Sequence, residues 1–514
     1  MSRLRNVLRK VDIFDFQELR ALDWFLIAVL VGLALDWRLC YYLWRGIWLD
    51  EGSSILISMM SSLNDVISYQ NLSGYKPALF EVLLHFTGKW FGWELKNIRL
   101  LPIFLSTAGI YFNYRILRDL YGQGAGFLVG ILYTYQNYSL CLAHQIRNYV
   151  LLQLLATAAL WAFIRWLREP AEGRFRVLSW LSLVGVCYTH HFGLWIAIAQ
   201  FSFLFTYPTQ DINLRKKLSY LRDFALTYLP QAVLMLSVWG SGIESWAPRP
   251  DWSHFSYMIT YWLNGTYEWM YYRSHEAEDW LTLSFIGLFL VATIRRYFKD
   301  GDFPSYLYMS YASLGVLVMH FILSQWRSAW LSMYITPAAA GFLPLLVAVV
   351  YAYSGWIRWG LVAGLLFFFL CGATPYSLPD LSVDKAARAL TQANPHNRYP
   401  ILCYPDYIFF PIAYHAYPDI LQECVQNTLS PFEKIRESAD KKQIWLGTEE
   451  MRLPNWLAQS DTVILVLQDW ESELTQILAQ SFEISKTPIY QQSHRPIITW
   501  AYRRKSGEIK SQAR

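Results

Sequence analysis

Asp50 and Glu51, adjacent in the stretch Trp48-Leu49-Asp50-Glu51-Gly52, are the first residues of this chain whose types could do chemistry. They follow the first long apolar run, and a carboxylate there can take a proton from a hydroxyl group. Cationic and polar residues recur at similar places, beside the ends of later apolar runs: Lys76, then His144 and Arg147 with Tyr149, then His190 and His191, then Arg327. Lys and Arg can hold a phosphate and stabilise the charge that builds on it as it leaves, Arg as a planar fork and Lys as a point charge. A basic neighbour such as Lys76 would also keep Asp50 ionised, as a base must be near neutral pH. The segment 241–279 adds Arg249, Asp251, His254 and Arg273. Each residue alone has a plainer explanation, such as a loop charge or an Arg snorkelling at the end of a span. Together, carboxylates and several cations form the equipment for moving a group from a phosphate to a hydroxyl.

The elements that must position these residues are apolar runs. Of 514 residues, 54% are hydrophobic and only 16% charged, where a soluble protein carries about a quarter charged residues. A first run of about 20 residues spans Leu22 to Tyr42, and runs near this length recur at 99–117, 125–142, 149–167, 178–189, 192–207, 223–240, 280–294, 305–323, 330–350 and 356–375. Each is near the length that crosses a hydrocarbon core of about 30 Å. The sequence therefore reads as a polytopic α-helical membrane protein of about eleven spans. Basic loops alternate: Arg115 and Arg118, Arg165 to Arg176, Arg215 to Arg222, and Arg295 to Lys299 all fall on the side of the basic N-terminus. That bias predicts a cytoplasmic N-terminus and an extracytoplasmic C-terminus. The net charge of +5 follows loops rather than one face, so it is no nucleic-acid footprint. Asp36 and Arg38 near the end of the first run should pair or face a wet cavity.

Residues 46–97 repeat apolar positions at helical spacing, which predicts amphipathic helices at the membrane surface, with Trp90 and Trp93 as interfacial anchors. The composition turns polar after about residue 378. Apolar runs at 400–404, 443–446, 462–467 and 497–502, between helical patterns at 383–393 and 471–478, predict a C-terminal extracytoplasmic α/β domain over 379–514, with 1–378 as the membrane domain. Cys403 and Cys424 would be available for a disulfide there. Asn71-Leu72-Ser73 and Asn264-Gly265-Thr266 match the glycosylation triplet.

Trp48-Leu49-Asp50-Glu51, Lys76-Pro77-Ala78-Leu79, Phe91-Gly92-Trp93-Glu94 leading to Arg99-Leu100-Leu101-Pro102, and Arg147-Asn148-Tyr149 occur in that order. In this order they resemble the landmarks of the GT-C glycosyltransferases, in particular the bacterial branch that is similar to the dolichyl-phosphate-mannose-protein mannosyltransferases and ArnT. The resemblance is strongest over residues 20–200 and continues as a pattern to about 350, through Arg327 and Pro337. It implies a GT-C fold in a bacterial plasma membrane and inverting transfer of a sugar from a polyprenyl-phosphate carrier to an acceptor hydroxyl outside. Asp50 matches the family's first-loop acidic residue, which the resemblance makes the catalytic base or the group that orients the acceptor, with Glu51 beside it. Lys76 matches a residue facing the carrier phosphate, and Arg147 and Tyr149 match an Arg-x-Tyr landmark. Ala78 stands where the family has a second Pro, and Asn148 where Met or Pro is usual.

The expected partners are a polyprenyl-phosphate-linked sugar, a protein, glycolipid or polysaccharide acceptor, and membrane lipid, with no nucleic acid. No cofactor is expected; Asp50 and Glu51 could hold a divalent metal with waters, but the sequence supplies no third ligand. The alternative is a transporter or a flippase for lipid-linked sugars, gated by Asp36 and Arg38.

Overall fold

The computed structural model describes residues 19–40, 42–43, 47, 49–72, 76–208, 211–240, 249–264, 276–299, 303–327, 329–373, 384–404, 409–417, 419–420, 439–446, 454, 457, 459–467, 473–478, 481–491 and 497–503. They form two compact units. One comprises residues up to Tyr42, Asn71–Phe80 and Arg99–Pro379, and the other Leu43–Gln70, Glu81–Ile98 and Asp380–Arg514. The division differs from the sequence expectation at one point: most of the 46–97 segment folds with the C-terminal α/β region instead of the apolar bundle.

The first unit is helical. The described residues include five helices long and apolar enough to cross a membrane: Leu95–Tyr121, Tyr149–Arg168, Glu276–Phe298, Phe303–Leu323 and Gly355–Gly372. Shorter apolar helices run over His191–Thr206 and Thr336–Tyr351. Tyr149–Arg168 is the axis of the bundle, 89% buried against Leu100–Tyr121, Gly173–Thr189 and Thr336–Tyr351. Gly355–Gly372 is 6% buried, and its large apolar side chains, Trp356 and Phe367 among them, lie exposed. Such a surface would be costly in water and is ordinary in lipid. The chain is a membrane protein.

Charges are sorted to the two ends of this unit. At one end Asp23, at the start of the Ala21–Leu39 helix, accepts from Arg118 (3.0 Å) and Tyr114 (2.7 Å). Asp119 gathers Arg115, Arg118 and Arg165 at 3.2–3.4 Å. At the other end Arg38 is fully buried, donating to Ser106 Oγ (3.0 Å) and to the Ala34 and Tyr133 carbonyls, and lying over the Tyr133 ring. Asp36 is exposed, because two residues on a helix are about 200° apart. The expected Asp36–Arg38 pair does not form, and Arg38 is satisfied by neutral acceptors.

Among the described residues of the second unit six strands form one mixed sheet: β1 (Ile401–Tyr404), β2 (Ile444–Leu446), β3 (Thr462–Leu467), β4 (Phe482–Ile484), β5 (Tyr490–Gln491) and β6 (Ile497–Arg503), ordered β2-β1-β3-β6-β4, with β5 also on β6. β1 is parallel to β2 and β3, and β6 is antiparallel to β3, β4 and β5. Strand alternation sends Ile401, Cys403, Ile464 and Val466 to one core and Leu402, Val463, Leu465 and Leu467 to the other. Burial on both faces is why β3 reads as one continuous apolar run. Cys403 is buried in β1; Cys424 lies outside the described residues.

Candidate active site

Lys76, Arg147 and His191 of the first unit act electrostatically on His190. The Gly173–Thr189 helix ends at His190, whose Nδ1 accepts the Phe192 backbone N–H (3.1 Å) and opens a short 3-10 turn, His191–Gly193. Gly193 is required here, since a Cβ would lie 2.5 Å from the Val186 carbonyl oxygen. The His190 ring stacks on Phe192 (5.3 Å) and packs against Tyr149 (5.5 Å) and Tyr334 (5.6 Å). Burial, and then the positive charges of His191, Lys76 and Arg147, hold it well below the ordinary imidazole range. His190 is therefore neutral, and because Nδ1 accepts, its proton sits on Nε2. A neutral N–H donor beside Lys76, Arg147 and His191 suits an anion.

The turn carrying Arg147 is held from both sides. His144 is buried, its Nε2 2.8 Å from the Arg38 carbonyl oxygen. Asn148 Nδ2 donates to the Thr189 carbonyl (2.9 Å), which gives the unusual Asn at this position a structural task. Arg147, half-buried between these ties, lies over the Tyr149 ring at 5.8 Å. Lys76 is exposed. Arg327 is exposed in the segment after the Phe303–Leu323 helix, whose far end brings Tyr334 into the aromatic cluster. His320 braces that segment. It accepts from Trp195 Nε1 at Nδ1 (3.0 Å), so Nε2 donates to the Ala329 carbonyl (2.9 Å), and its ring packs on Phe192 and Trp330.

The two carboxylates belong to the second unit, in the first turn of the Leu49–Ser58 helix, where the helix dipole favours negative charge. Asp50 is exposed and Glu51 fully buried. Glu51, Ser54 and Ser58 form one stripe on this helix at i, i+3 and i+7. Ser54 Oγ donates to Glu81 Oε1 (3.2 Å), and His85 Nδ1 lies 2.8 Å from the Ser58 carbonyl oxygen. Glu81 and His85, one turn apart on the Leu79–Phe91 helix, escaped the sequence reading. Their i, i+4 spacing inside an apolar pattern was the available signal. Among the described residues no three His, Cys, Asp or Glu side chains gather as metal ligands.

No protein family and no curated protein matches the chain by sequence. Solved structures do match by shape. ArnT from Cupriavidus metallidurans in the apo state aligns with a TM-score of 0.59 at 11% identity, covering 92% of this chain and 97% of ArnT. ArnT from the same organism bound to undecaprenyl phosphate aligns at 0.56 and 13%, covering 94% and 98%. The archaeal oligosaccharyltransferase AglB from Archaeoglobus fulgidus, in complex with an inhibitory peptide and a dolichol-phosphate, aligns at 0.52 and 10%, covering 87% of this chain and 69% of AglB. This chain has the GT-C fold.

Within its GT-C fold, the sequence-predicted residues fall into two groups. Lys76, Arg147, Tyr149, His190 and His191 are brought together in the bundle unit. Asp50 and Glu51 share the first turn of one helix in the other unit, whose Ser54 and Ser58 meet the unpredicted Glu81 and His85, while Asp50 is exposed. Asn264 is buried with positive φ, and its amide nitrogen donates to the Tyr135 and Phe369 carbonyls at 3.1 and 2.8 Å, so it is a structural cap and not a glycosylation acceptor.

Proposed function

We propose that this GT-C protein is an inverting glycosyltransferase that moves a sugar from a polyprenyl-phosphate carrier to an acceptor hydroxyl on the extracytoplasmic side of a bacterial plasma membrane. The observation that carries the reading is the packing of Arg147 over Tyr149 and of Tyr149 against His190, with Lys76 and His191 bearing electrostatically on that histidine, in a fold whose solved examples include one bound to undecaprenyl phosphate and one in complex with a dolichol-phosphate. In this scheme Asp50 takes the proton of the acceptor hydroxyl as its oxygen bonds to the anomeric carbon. The bond from that carbon to the phosphate oxygen breaks with inversion. The electron pair leaves with the polyprenyl phosphate, and Lys76, Arg147 and Arg327 meet its charge. Tyr149, His190 and His191 shape the phosphate side, and His144 sets the Arg147 turn. The exposure of Asp50 suits the base, whereas the burial of Glu51 suits an orienting group.

In this reading the chain crosses the membrane about eleven times, with a cytoplasmic N-terminus and an extracytoplasmic α/β domain. The scheme uses no cofactor. Acceptors of three kinds, protein, glycolipid and polysaccharide, present the required hydroxyl. The transporter reading is weaker because its gate is absent: Arg38 is bound to neutral acceptors while Asp36 faces away. The test is Asp50→Asn in membranes of a deletion strain supplied with undecaprenyl-phosphate-linked hexoses and pentoses. Sugar transfer should vanish while the protein stays inserted and folded. Retention of about a tenth or more of the wild-type rate, a loss of under 1.4 kcal/mol of transition-state stabilisation, removes Asp50 as the base.

A further inference from the structure

The Leu49–Ser58 helix has ten residues, too few to hold its shape or place unaided in water. Its position comes from what it packs on, and its three faces are used differently. The Glu51–Ser54–Ser58 stripe meets Glu81 and His85. About 170° around the helix from that stripe, Leu56 is 3% exposed and belongs to the core of the α/β sheet, with Ala386, Leu390, Ile401, Phe409 and Ile412. The Phe409–Ala416 helix packs directly on Leu49–Ser58, and the hydroxyl of its Tyr414 donates to the Trp93 carbonyl oxygen at the end of the same outer segment. The remaining face carries Asp50 and is exposed. An apolar side chain from residue 56 thus completes a core otherwise built from residues after 380.

We propose that the α/β domain is a positioning element for the reaction: through Leu56 and the Phe409–Ala416 helix it fixes the orientation of the helix that bears Asp50. The proposal rests on Asp50 being the base. A base must sit close to its hydroxyl in the reactive complex, and displacements of about 1 Å cost rate heavily. Leu56 touches no reacting group, so its loss should act on the chemical step and not on capture of the carrier.

The test compares two buried leucines of the α/β unit in the full-length protein. Leu56→Ala opens the core that seats the helix; Leu465→Ala opens the core on the opposite face of the sheet, away from it. For Leu56→Ala, the maximal rate of sugar transfer from the undecaprenyl-phosphate-linked panel should fall about tenfold or more. Binding of undecaprenyl phosphate should change less than about twofold, and backbone amides at 49–58 should exchange with solvent about tenfold faster. Leu56→Met should recover most of the rate, because it nearly conserves volume. Leu465→Ala should leave the rate within about threefold of wild type. Unchanged exchange at 49–58 in Leu56→Ala, or an equal loss of rate in Leu465→Ala, overturns the proposal. If Leu56→Ala does not accumulate, Ile412→Val carries the same comparison. A wild-type protein that transfers no sugar from the panel overturns the glycosyltransferase reading, while the exchange measurement still decides the placement of the helix.

Discussion

Asp119 is the residue whose removal should damage the bundle most for the smallest change in shape. Its Oδ2 accepts from Arg115 (3.4 Å), Arg165 (3.2 Å) and Trp161 Nε1 (3.4 Å), and its Oδ1 from Arg118 (3.2 Å). The side chains of Arg115, Asp119 and Arg165 are 0%, 3% and 5% exposed, so solvent does not screen this cluster. Asp119→Asn keeps the size but removes the charge and turns one acceptor into a donor facing cations. Arg118 retains Asp23 (3.0 Å) and Arg165 retains Glu169 (2.9 Å). Arg115 keeps the Tyr111 hydroxyl and the Tyr111 and Trp161 rings. Breaking a buried pair from one side costs about 3–5 kcal/mol, and the two retained carboxylates put this case near the lower figure. Thermal unfolding of purified protein in detergent, followed by intrinsic Trp fluorescence, should show a fall in Tm on the order of 5 °C. Adding Arg115→Met removes one of the cations that Asp119 had met and should restore part of the loss, measured as a double-mutant cycle. A single variant within about 1 °C of wild type, or a double variant less stable than both singles, refutes the reasoning.

The neutral state of His190 makes stability depend on pH. Its folded pKa is depressed, so below the unfolded value of about 6.5 the unfolded chain binds a proton that the folded chain does not, and stability falls with falling pH. This group should cost about 1.4 kcal/mol at pH 5.5 relative to pH 7.5, with little change above neutrality. His190→Asn should flatten that part of the Tm-against-pH curve, and an unchanged slope would argue against a neutral His190. Gly193→Ala should destabilise by about 1–3 kcal/mol, because the new Cβ meets the Val186 carbonyl at 2.5 Å and backbone cannot yield as a side chain can. A wild-type Tm for this variant would mean that the turn relaxes freely.

The apolar runs and their spacing were enough to read a helical membrane protein, because crossing lipid demands long stretches without charge and leaves few other patterns. The runs at 401–404, 444–446, 462–467 and 497–503 were legible as strands for a related reason: burial on both faces makes them largely apolar, the central 462–467 run most of all. Strands β4 and β5 were not, being three and two residues long and at the sheet margin. Among the candidate site residues, charge type and loop position pointed to Lys76, Arg147, His190 and His191. Side-chain identity could also nominate Asp50 and Glu51, but not distinguish the exposed acid from the buried one.

What tertiary structure decided was partnership. Arg115, Arg118 and Arg165 read in sequence as loop cations, and only packing brings Asp23 and Asp119 among them across three helices. Arg38 and Asp36 looked like a pair, and helical geometry turns them apart. The segment around Asp50 looked like a surface appendage of the spans, yet Leu56 completes a core whose other members lie beyond residue 380. A sequence states which groups a chain owns and the local period at which they repeat. Contacts between residues hundreds of positions apart depend on complementary shape and on how buried charges are satisfied, and neither leaves a trace in local spacing.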